Sequence, residues 1–439
     1  MQTKLNDFFR LKHKDSTPLR LPNHTGELWK FAQPRLLMIA TRQKHKDQTL
    51  ETISDLVSKT RICFRHQVNL NALNQFLSQK TKEEVLDFFC RVATFALEVD
   101  FLFPNEVPML LQRSNTRADL SLQQVRCLLA LMFFCCFPKQ EKSYDLPKRY
   151  HFYELFTENR KPTWVKLAKL QCVYNYFSRE VQLNQKITFK RNYLAGSLNF
   201  SNCSKELSEV TIEESQTSTE ELRDKLMVDY ANCYIGGGVL SAGAVQEEII
   251  FLKLVEPIVS LLFTEKLLDN EALVIIGTQR YNETTGYSNT FNWKSDFVEG
   301  FSLDEQGRAN SHLTCIDALN YSGKEWTQYQ ANSIQRELQK AYVGFMSEGD
   351  TKEVVAGRWG CGVFAGDDQL KFLIQWLAAS ALSKNLYFLP WDMANLDQLR
   401  MIVSVLKGQT VDRIANLLFN MGRVQKGGVF QRVIEILMQ

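Results

Sequence analysis

The sequence predicts an α/β fold: a layered domain on a largely parallel or mixed sheet, preceded by an N-terminal all-helical accessory region. Three observations predict it. After residue 185, short β-rich runs alternate with helical stretches. Between about 49 and 180, apolar residues recur at helical spacing. Two glycine-rich loops each follow a strand and precede a helix, where α/β domains bind ligands.

Composition bounds the rest. A chain of 439 residues accommodates two lobes sharing a sizeable core. Hydrophobic residues at 45% and charged ones at 23% place it among soluble globular proteins. The longest apolar run, CLLALMFFCCF at 127–137, falls short of the ~18–20 residues a membrane span needs. The start, MQTKLNDFFRLKHK, lacks the apolar core of a signal peptide. Ten cysteines without a CxxC pair suit a reducing compartment, and six histidines without ligand spacing predict no metal; no cofactor is expected.

Residues 1–48 hold ten Lys/Arg against four Asp/Glu, a local excess of +6 in a chain of net charge +3. They show no periodicity and read as a flexible basic arm, suited to a polyanion or a nuclear address. A helical accessory domain is expected over 49–184. In 82–98, Val85, Leu86, Phe89, Val92 and Phe95 form one apolar face, Ser121 is placed to cap the helix that follows it, and 166–177 reads as another helix.

The domain over 185–439 carries strand-like runs at 187–193, 226–231, 272–277, 313–319, 352–355 and 386–389. Helical stretches at 246–268, 328–345, 367–383 and 395–405 separate many of them, and the polar segment 202–222 reads as an inserted loop.

The chemistry concentrates after the strand LMVDYA. It runs into Gly236, Gly237 and Gly238, then a helix opening with Gln246, Glu247 and Glu248. Glycines there let backbone amides approach an anion without any Cβ in the way. The second loop, GRWGCGVFAG at 357–366, offers a matching clasp for a diphosphate. No Gly-Lys-Ser/Thr follows either loop, which excludes a P-loop, and neither keeps the dinucleotide spacing.

The adjacent acids have a bland reading as partners of a helix dipole. Their apolar frame, Val245 before and Ile249-Ile250-Phe251 after, points instead to a poorly hydrated pocket. An ordinary glutamic acid with a pKa of about 4.3 carries a handicap of roughly 3.7 kcal/mol as a proton donor at pH 7. Burial and a like charge next door recover about 2.5–3.5 kcal/mol of it. Neighbours on a helix project about 100° apart, so the two carboxylates take different roles. Asp229 and Asn232, alternating out of the strand, are candidates for ribose hydroxyls, with strand-end caps as the alternative; Tyr287 in TGY is placed to swing a ring across the site.

TIEE (211–214), VDYAN (228–232), GGGVLSAGAVQEE (236–248), TGY (285–287) and GCGVFAGD (360–367) occur in an order that resembles the poly(ADP-ribose) glycohydrolases, whose GGG-x7-QEE signature is specific. The resemblance runs from about 121 to about 410 and implies a macrodomain-like three-layer α/β/α core. It implies hydrolysis of ribose–ribose O-glycosidic bonds in poly(ADP-ribose), on modified proteins, by a monomer without sequence-specific nucleic-acid binding.

Carried over by motif, Glu248 is the general acid, Glu247 holds ribose hydroxyls, and Asn232 fixes that ribose. The backbones of Gly236–Gly238 and of Gly360, Cys361, Gly362 and Val363 bind the diphosphate. Phe364 and Tyr287 shape the site, and Ile212, Glu213 and Gln246 match positions around adenine. Three departures stand out: Arg358 where an Asn is expected, Ala365 in place of a glycine, and LYFLPWD (386–392), which leaves open whether Phe388 or Trp391 stacks.

Glycosidases usually place carboxyls on opposite sides of the bond, ~5–5.5 or ~6.5–9.5 Å apart. Neighbours at one helix start are poorly placed for that. The expectation is one acid, Glu248, protonating the leaving 2′-oxygen, an oxocarbenium-like ribose stabilised by the diphosphate, and water activated by the resulting carboxylate. The alternative is a macrodomain that reads ADP-ribose without cutting it, for which the doubled acid has no use.

Gln2, Leu5, Phe8 and Phe9 fit Q-x-x-[ILM]-x-x-[FY]-[FY], the docking motif for the sliding clamp of DNA replication. A short helical turn would present Leu5, Phe8 and Phe9 as one apolar plug. With the basic RLKHK after it, the motif favours a nuclear location over a cytoplasmic one.

Overall fold

The computed structural model describes residues 18–60, 68–140, 143–157, 163–180, 185–214, 222, 224–298, 300–347, 351–390 and 396–439. The docking motif at Gln2, Leu5, Phe8 and Phe9, and Trp391, lie outside them. Among the described residues no helix is long and apolar enough to cross a membrane.

The N-terminal part is built from α1 (Glu27–Ala40), α2 (Lys46–Thr60), α3 (Asn71–Leu77), α4 (Lys82–Leu97), α5 (Leu122–Phe133) and α6 (Thr163–Ser178). Two starts are fixed by reciprocal caps. Thr81 accepts the Glu84 amide while Glu84 takes that of Thr81. Ser121 and Gln124 do the same for α5, as the sequence predicts.

The expectation of a flexible arm to residue 48 is corrected by α1. Trp29, Ala32, Leu36 and Ile39 lie on one face and are buried, a stripe hidden in the sequence by the Pro34 inside it. Leu19 and Leu21 are buried as well.

Among the described residues there are ten strands: β1 (Arg117–Ser121), β2 (Lys186–Tyr193), β3 (Val210–Ile212), β4 (Leu226–Ala231), β5 (Glu271–Ile276), β6 (Asn282–Thr285), β7 (Asn292–Asp296), β8 (His312–Asp317), β9 (Glu353–Ala356) and β10 (Asn385–Phe388). Eight make one mixed sheet in the order β1-β2-β5-β8-β4-β9-β10-β3, and β6 with β7 forms a separate hairpin. The β1, β2, β5 and β8 pairings are antiparallel; β8, β4, β9, β10 and β3 run parallel. β1 comes from the helical region, which thereby adds a strand to the sheet. β3 lies within the segment read as an inserted loop; three residues at a sheet edge leave too short a pattern to see.

The remaining helices are α7 (Gln246–Leu254), α8 (Ala331–Phe345), α9 (Asp368–Ala381), α10 (Leu396–Leu406), α11 (Val411–Phe419) and α12 (Val429–Leu437). The predicted helix 246–268 ends early because Val255 turns to φ +62°, and a 3-10 segment, Glu256–Leu262, follows with Pro257 in its first turn.

Alternation along the strands sets the layers. Met227 and Ala231 pack with Leu273, Ile275, Leu313 and Cys315 against α7 and the helical region. Leu226 and Val228 face the other way, toward α8, α9 and the C-terminal helices. Each such fully buried Leu, Ile or Val contributes about 1.5–3 kcal/mol. The parallel pairing of β4 with β9 makes the two glycine loops leave neighbouring strands at the same, C-terminal end.

Candidate active site

β4 ends at Ala231, and the chain turns through Asn232 into the triple glycine and on to α7. Glu247 and Glu248, in the first turn of α7, are only 3% and 5% exposed. They hold different parts of that loop. Glu247 accepts the amides of Asn232 at 2.9 Å and Gly236 at 2.6 Å. Glu248 accepts those of Gly238 at 2.7 Å and Val245 at 2.8 Å.

Gly237 lies between the two carboxylates. A Cβ there would sit 2.5 Å from Glu248 Oε1 and 2.7 Å from Glu247 Oε2, and the backbone is at φ +48°. Only glycine fits. Both carboxylates thus converge beside one exposed backbone point rather than facing each other across a gap.

The expected diphosphate cradle is corrected at its first half. The Gly236 and Gly238 amides are taken by the two glutamates, and the Gly237 amide donates to Tyr234 O. The triple glycine therefore seats the acids. The second loop does offer donors: among the described residues the amides of Gly362, Val363 and Phe364 have no acceptor. Successive free amides form a concave anion site. Gly360 supports the turn before them at φ +75°, where a Cβ would press within 2.5 Å of Ala318 Cβ. Cys361 is buried, its thiol turned to Trp359 O, and Val363 is exposed. Phe364 packs half-buried on the core, its carbonyl taken by the Tyr321 amide.

The departures resolve physically. Arg358 pairs with Asp368 at 2.6 and 2.9 Å through two nitrogens, so its charge is matched at the start of α9. Ala365 stands at φ +58°, a left-handed conformation that disfavours a residue with a Cβ by roughly 1–2 kcal/mol.

Asp229 is not a ribose ligand here, which corrects the expectation for it. It faces α7, is fully buried, and neither carboxylate oxygen takes a hydrogen bond from a described N–H or O–H group. Burial holds its carboxyl well above the usual range; the Cys315 thiol beside it lowers it slightly and the Glu248 charge raises it. Glu247 is raised for the same first reason, then by the charges of Asp229 and Glu248, against the pull of the Asn232 and Gly236 amides. Asp229 and Glu247 thus share one dry cluster beside Glu248, and burial and mutual repulsion disfavour their ionising together.

Asn232 is exposed, and its Oδ1 accepts the Tyr234 amide in a turn that leaves the carboxamide at the cleft. Gln246 is spoken for on two sides: it donates to Val228 O at 3.0 Å and accepts from Tyr230 N at 2.8 Å. Ile212 and Glu213 stand at the end of β3 beside β10, and the Tyr387 hydroxyl donates to the Glu213 carboxylate. Phe388 is buried edge-on against Phe372, so it does not stack on a ligand.

Tyr287 is 45% exposed on a tight turn whose Ser288 amide donates to Ala244 O at 2.7 Å. Its hydroxyl is raised by burial, lowered by a hydrogen bond from the Gln246 backbone, raised by the Glu248 charge and lowered by that of Arg358. The hydroxyl is thus within electrostatic reach of both Glu248 and Arg358.

Two side chains of α6 belong to the site, and nothing local in the sequence marks them. Lys169 is fully buried and donates to the carbonyls of Gly238, Val239 and Ser241 at 3.0, 3.1 and 3.0 Å. Burial pushes its amine down to about 7, against the attraction of Glu248. Trp164 donates its indole N–H to Asn289 O at 2.8 Å, on the turn that carries Tyr287.

Comparison with known proteins identifies a family. Two profiles of one family match: Poly (ADP-ribose) glycohydrolase (PARG), helical domain, over 76–191, and Poly (ADP-ribose) glycohydrolase (PARG), Macro domain fold, over 197–398. Poly(ADP-ribose) glycohydrolase 1 of Caenorhabditis elegans is 31% identical over 333 residues, 70% of this chain and 40% of that protein. Poly(ADP-ribose) glycohydrolase 2 of the same animal is 29% identical over 354 residues, 74% of this chain and 68% of that one. The chain thus spans well under half of one relative and about two thirds of the other. A solved poly(ADP-ribose) glycohydrolase from Deinococcus radiodurans in complex with ADP-ribose shares 14% identity at a TM-score of 0.31, covering 46% of this chain and 88% of its own, a likeness too slight to carry an argument.

Proposed function

We propose, because this chain belongs to the poly(ADP-ribose) glycohydrolase family, that it hydrolyses the ribose–ribose O-glycosidic bonds of poly(ADP-ribose) and releases ADP-ribose. The observation that carries the reading is the buried acid cluster seated on the triple glycine, opposite a loop with free amides. Beside Glu248, burial and like charge hold the Asp229 and Glu247 carboxyls well above the usual carboxylate range.

In this account the Gly362–Phe364 amides hold the diphosphate, and Asn232 and Glu247 orient the ribose. Glu248 gives its proton to the leaving 2′-oxygen as the C1″–O2′ bond breaks. The oxocarbenium-like ribose is stabilised by the adjacent diphosphate. The carboxylate left on Glu248 then takes a proton from water as the water oxygen bonds to C1″, restoring the acid. Lys169 and Asp229 position and charge-balance the loop and acids without meeting substrate. A macrodomain that only reads ADP-ribose has no use for a loop shaped around two carboxylates.

The domain assignment follows the same reading: a helical accessory domain that opens with α1 and runs to 184, and a catalytic domain over 185–439. Residues 2–9 extend it to a nuclear location and to docking on the sliding clamp of DNA replication, testable with a peptide of residues 1–14 and its Phe8→Ala/Phe9→Ala form. The activity itself is tested by incubating purified protein with poly(ADP-ribose). Release of ADP-ribose supports the reading; tight ADP-ribose binding without release favours the reader.

A further inference from the structure

The helical region places an exposed, anchored indole at the rim of this site. Trp164, at the start of α6, keeps 58% of its surface exposed although its N–H is bound to Asn289 O. An aromatic ring whose only polar atom is satisfied by the protein presents its face and apolar edge to whatever passes. It is also fixed in direction. The turn it grips is rigid: Thr290 N donates to Tyr287 O, Tyr287 N donates to Thr290 Oγ1, and a Cβ on Gly286 would fall 2.0 Å from Thr290 O. Tyr287 and Asn289 are two residues apart, so their Cα atoms lie within about 7.6 Å. The same turn is tied to Ala244, two residues before Gln246.

The chemistry of the polymer says what meets this ring. The proposed leaving oxygen is the 2′-oxygen of an adenosine, and its base sits on the adjacent carbon of the same ribose. When that oxygen lies at Glu248 beside Tyr287, the adenine of the leaving unit lies at the rim on which Tyr287 and Trp164 stand. Aromatic faces hold bases by stacking.

We propose that Trp164 is a stacking platform for the adenine of the leaving unit, so that the helical region supplies a subsite selecting chain over free ADP-ribose. The inference rests on the hydrolase reading above, because that reading identifies the leaving alcohol. It makes Trp164 a specificity-determining residue: the unit being released never touches it.

The test uses the full chain, the (ADP-ribose)2 dimer and free ADP-ribose. Trp164→Ala should lower kcat/KM on the dimer about tenfold, the worth of one base–aromatic stack. Trp164→Phe should retain most of the wild-type value. The Ki of ADP-ribose should be the same in all three proteins. An unchanged kcat/KM for Trp164→Ala, or a Ki that rises in step with its loss, overturns the proposal. If the wild-type protein binds the dimer without cleaving it, the hydrolase reading fails instead. The platform is then decided by affinity: the dimer should bind wild type more tightly than ADP-ribose does, and Trp164→Ala should erase that margin.

Discussion

Lys169 reaches Gly238 from a helix of the N-terminal region, its Nζ 3.0 Å from the glycine carbonyl, and it takes the carbonyls of Val239 and Ser241 as well. One buried ammonium thus pins the far side of the loop whose near side is held by Glu247 and Glu248. The helical region is thus tied by hydrogen bonds to the candidate site's backbone, not merely packed beside it.

Replacing this lysine tests that coupling. Lys169→Met leaves three carbonyls without their donor, and activity should fall at least about tenfold as the loop seeks others. A second signature separates this from general damage. The folded amine titrates near 7, the unfolded one near 10.4. Between those values the unfolded chain binds more protons, so this group makes stability rise with pH. Urea midpoints of wild type and Lys169→Met should therefore diverge in favour of wild type from about pH 7 to pH 10. Parallel curves would show that Lys169 does not titrate in the fold.

Gly237→Ala asks whether the acids need the seat they occupy. The added methyl falls within 2.5 and 2.7 Å of the two carboxylates, and displacing a reacting group by about 1 Å can lose a hundredfold in rate. The variant should stay folded, destabilised by about 1–2 kcal/mol for its left-handed backbone, and lose about a hundredfold or more in turnover. Near-wild-type turnover in a folded variant would mean the carboxylates are not held where the loop places them.

Asp229→Asn probes the acid cluster through stability. The wild-type carboxyl keeps its proton in the fold well above the usual range, while the unfolded one releases it near 3.9. As pH rises past that value the unfolded state holds fewer protons, and wild type loses stability until the folded carboxyl ionises too. Asparagine does not titrate. Its advantage over wild type should grow between about pH 4 and pH 8, by at least ~1 kcal/mol. A constant difference across that window would contradict a protonated Asp229.

Much of this site could be read in the sequence, and the limit is physical. The strand, glycines and acids of 226–248 are contiguous, so one local pattern places them at a strand end. Where a bond partner is remote, local pattern is silent: Lys169 lies 69 residues from Gly238, and Trp164 lies 125 from Asn289. The sequence also does not say which amides are spoken for. Gly236 and Gly238 read as anion donors until the fold turns Glu247 and Glu248 onto them. Asp229 alternates with Val228 and Tyr230 as expected, but only the β4 register opposite Cys315 shows that it points under α7 and not into the cleft. The stripe of α1 was hidden by its proline, and β3 by its length.

Glu248 is proposed to donate the proton that frees ADP-ribose. The deciding experiment is ADP-ribose release from poly(ADP-ribose) by Glu248→Gln, with ADP-ribose affinity measured on the same protein. Glutamine keeps the shape and one of the two oxygens that accept the Gly238 and Val245 amides, but has no acidic proton to give. Release should fall by about 10²–10⁴-fold, the usual worth of a general acid, while ADP-ribose binds as it does to wild type. Full release by the glutamine variant would contradict the claim.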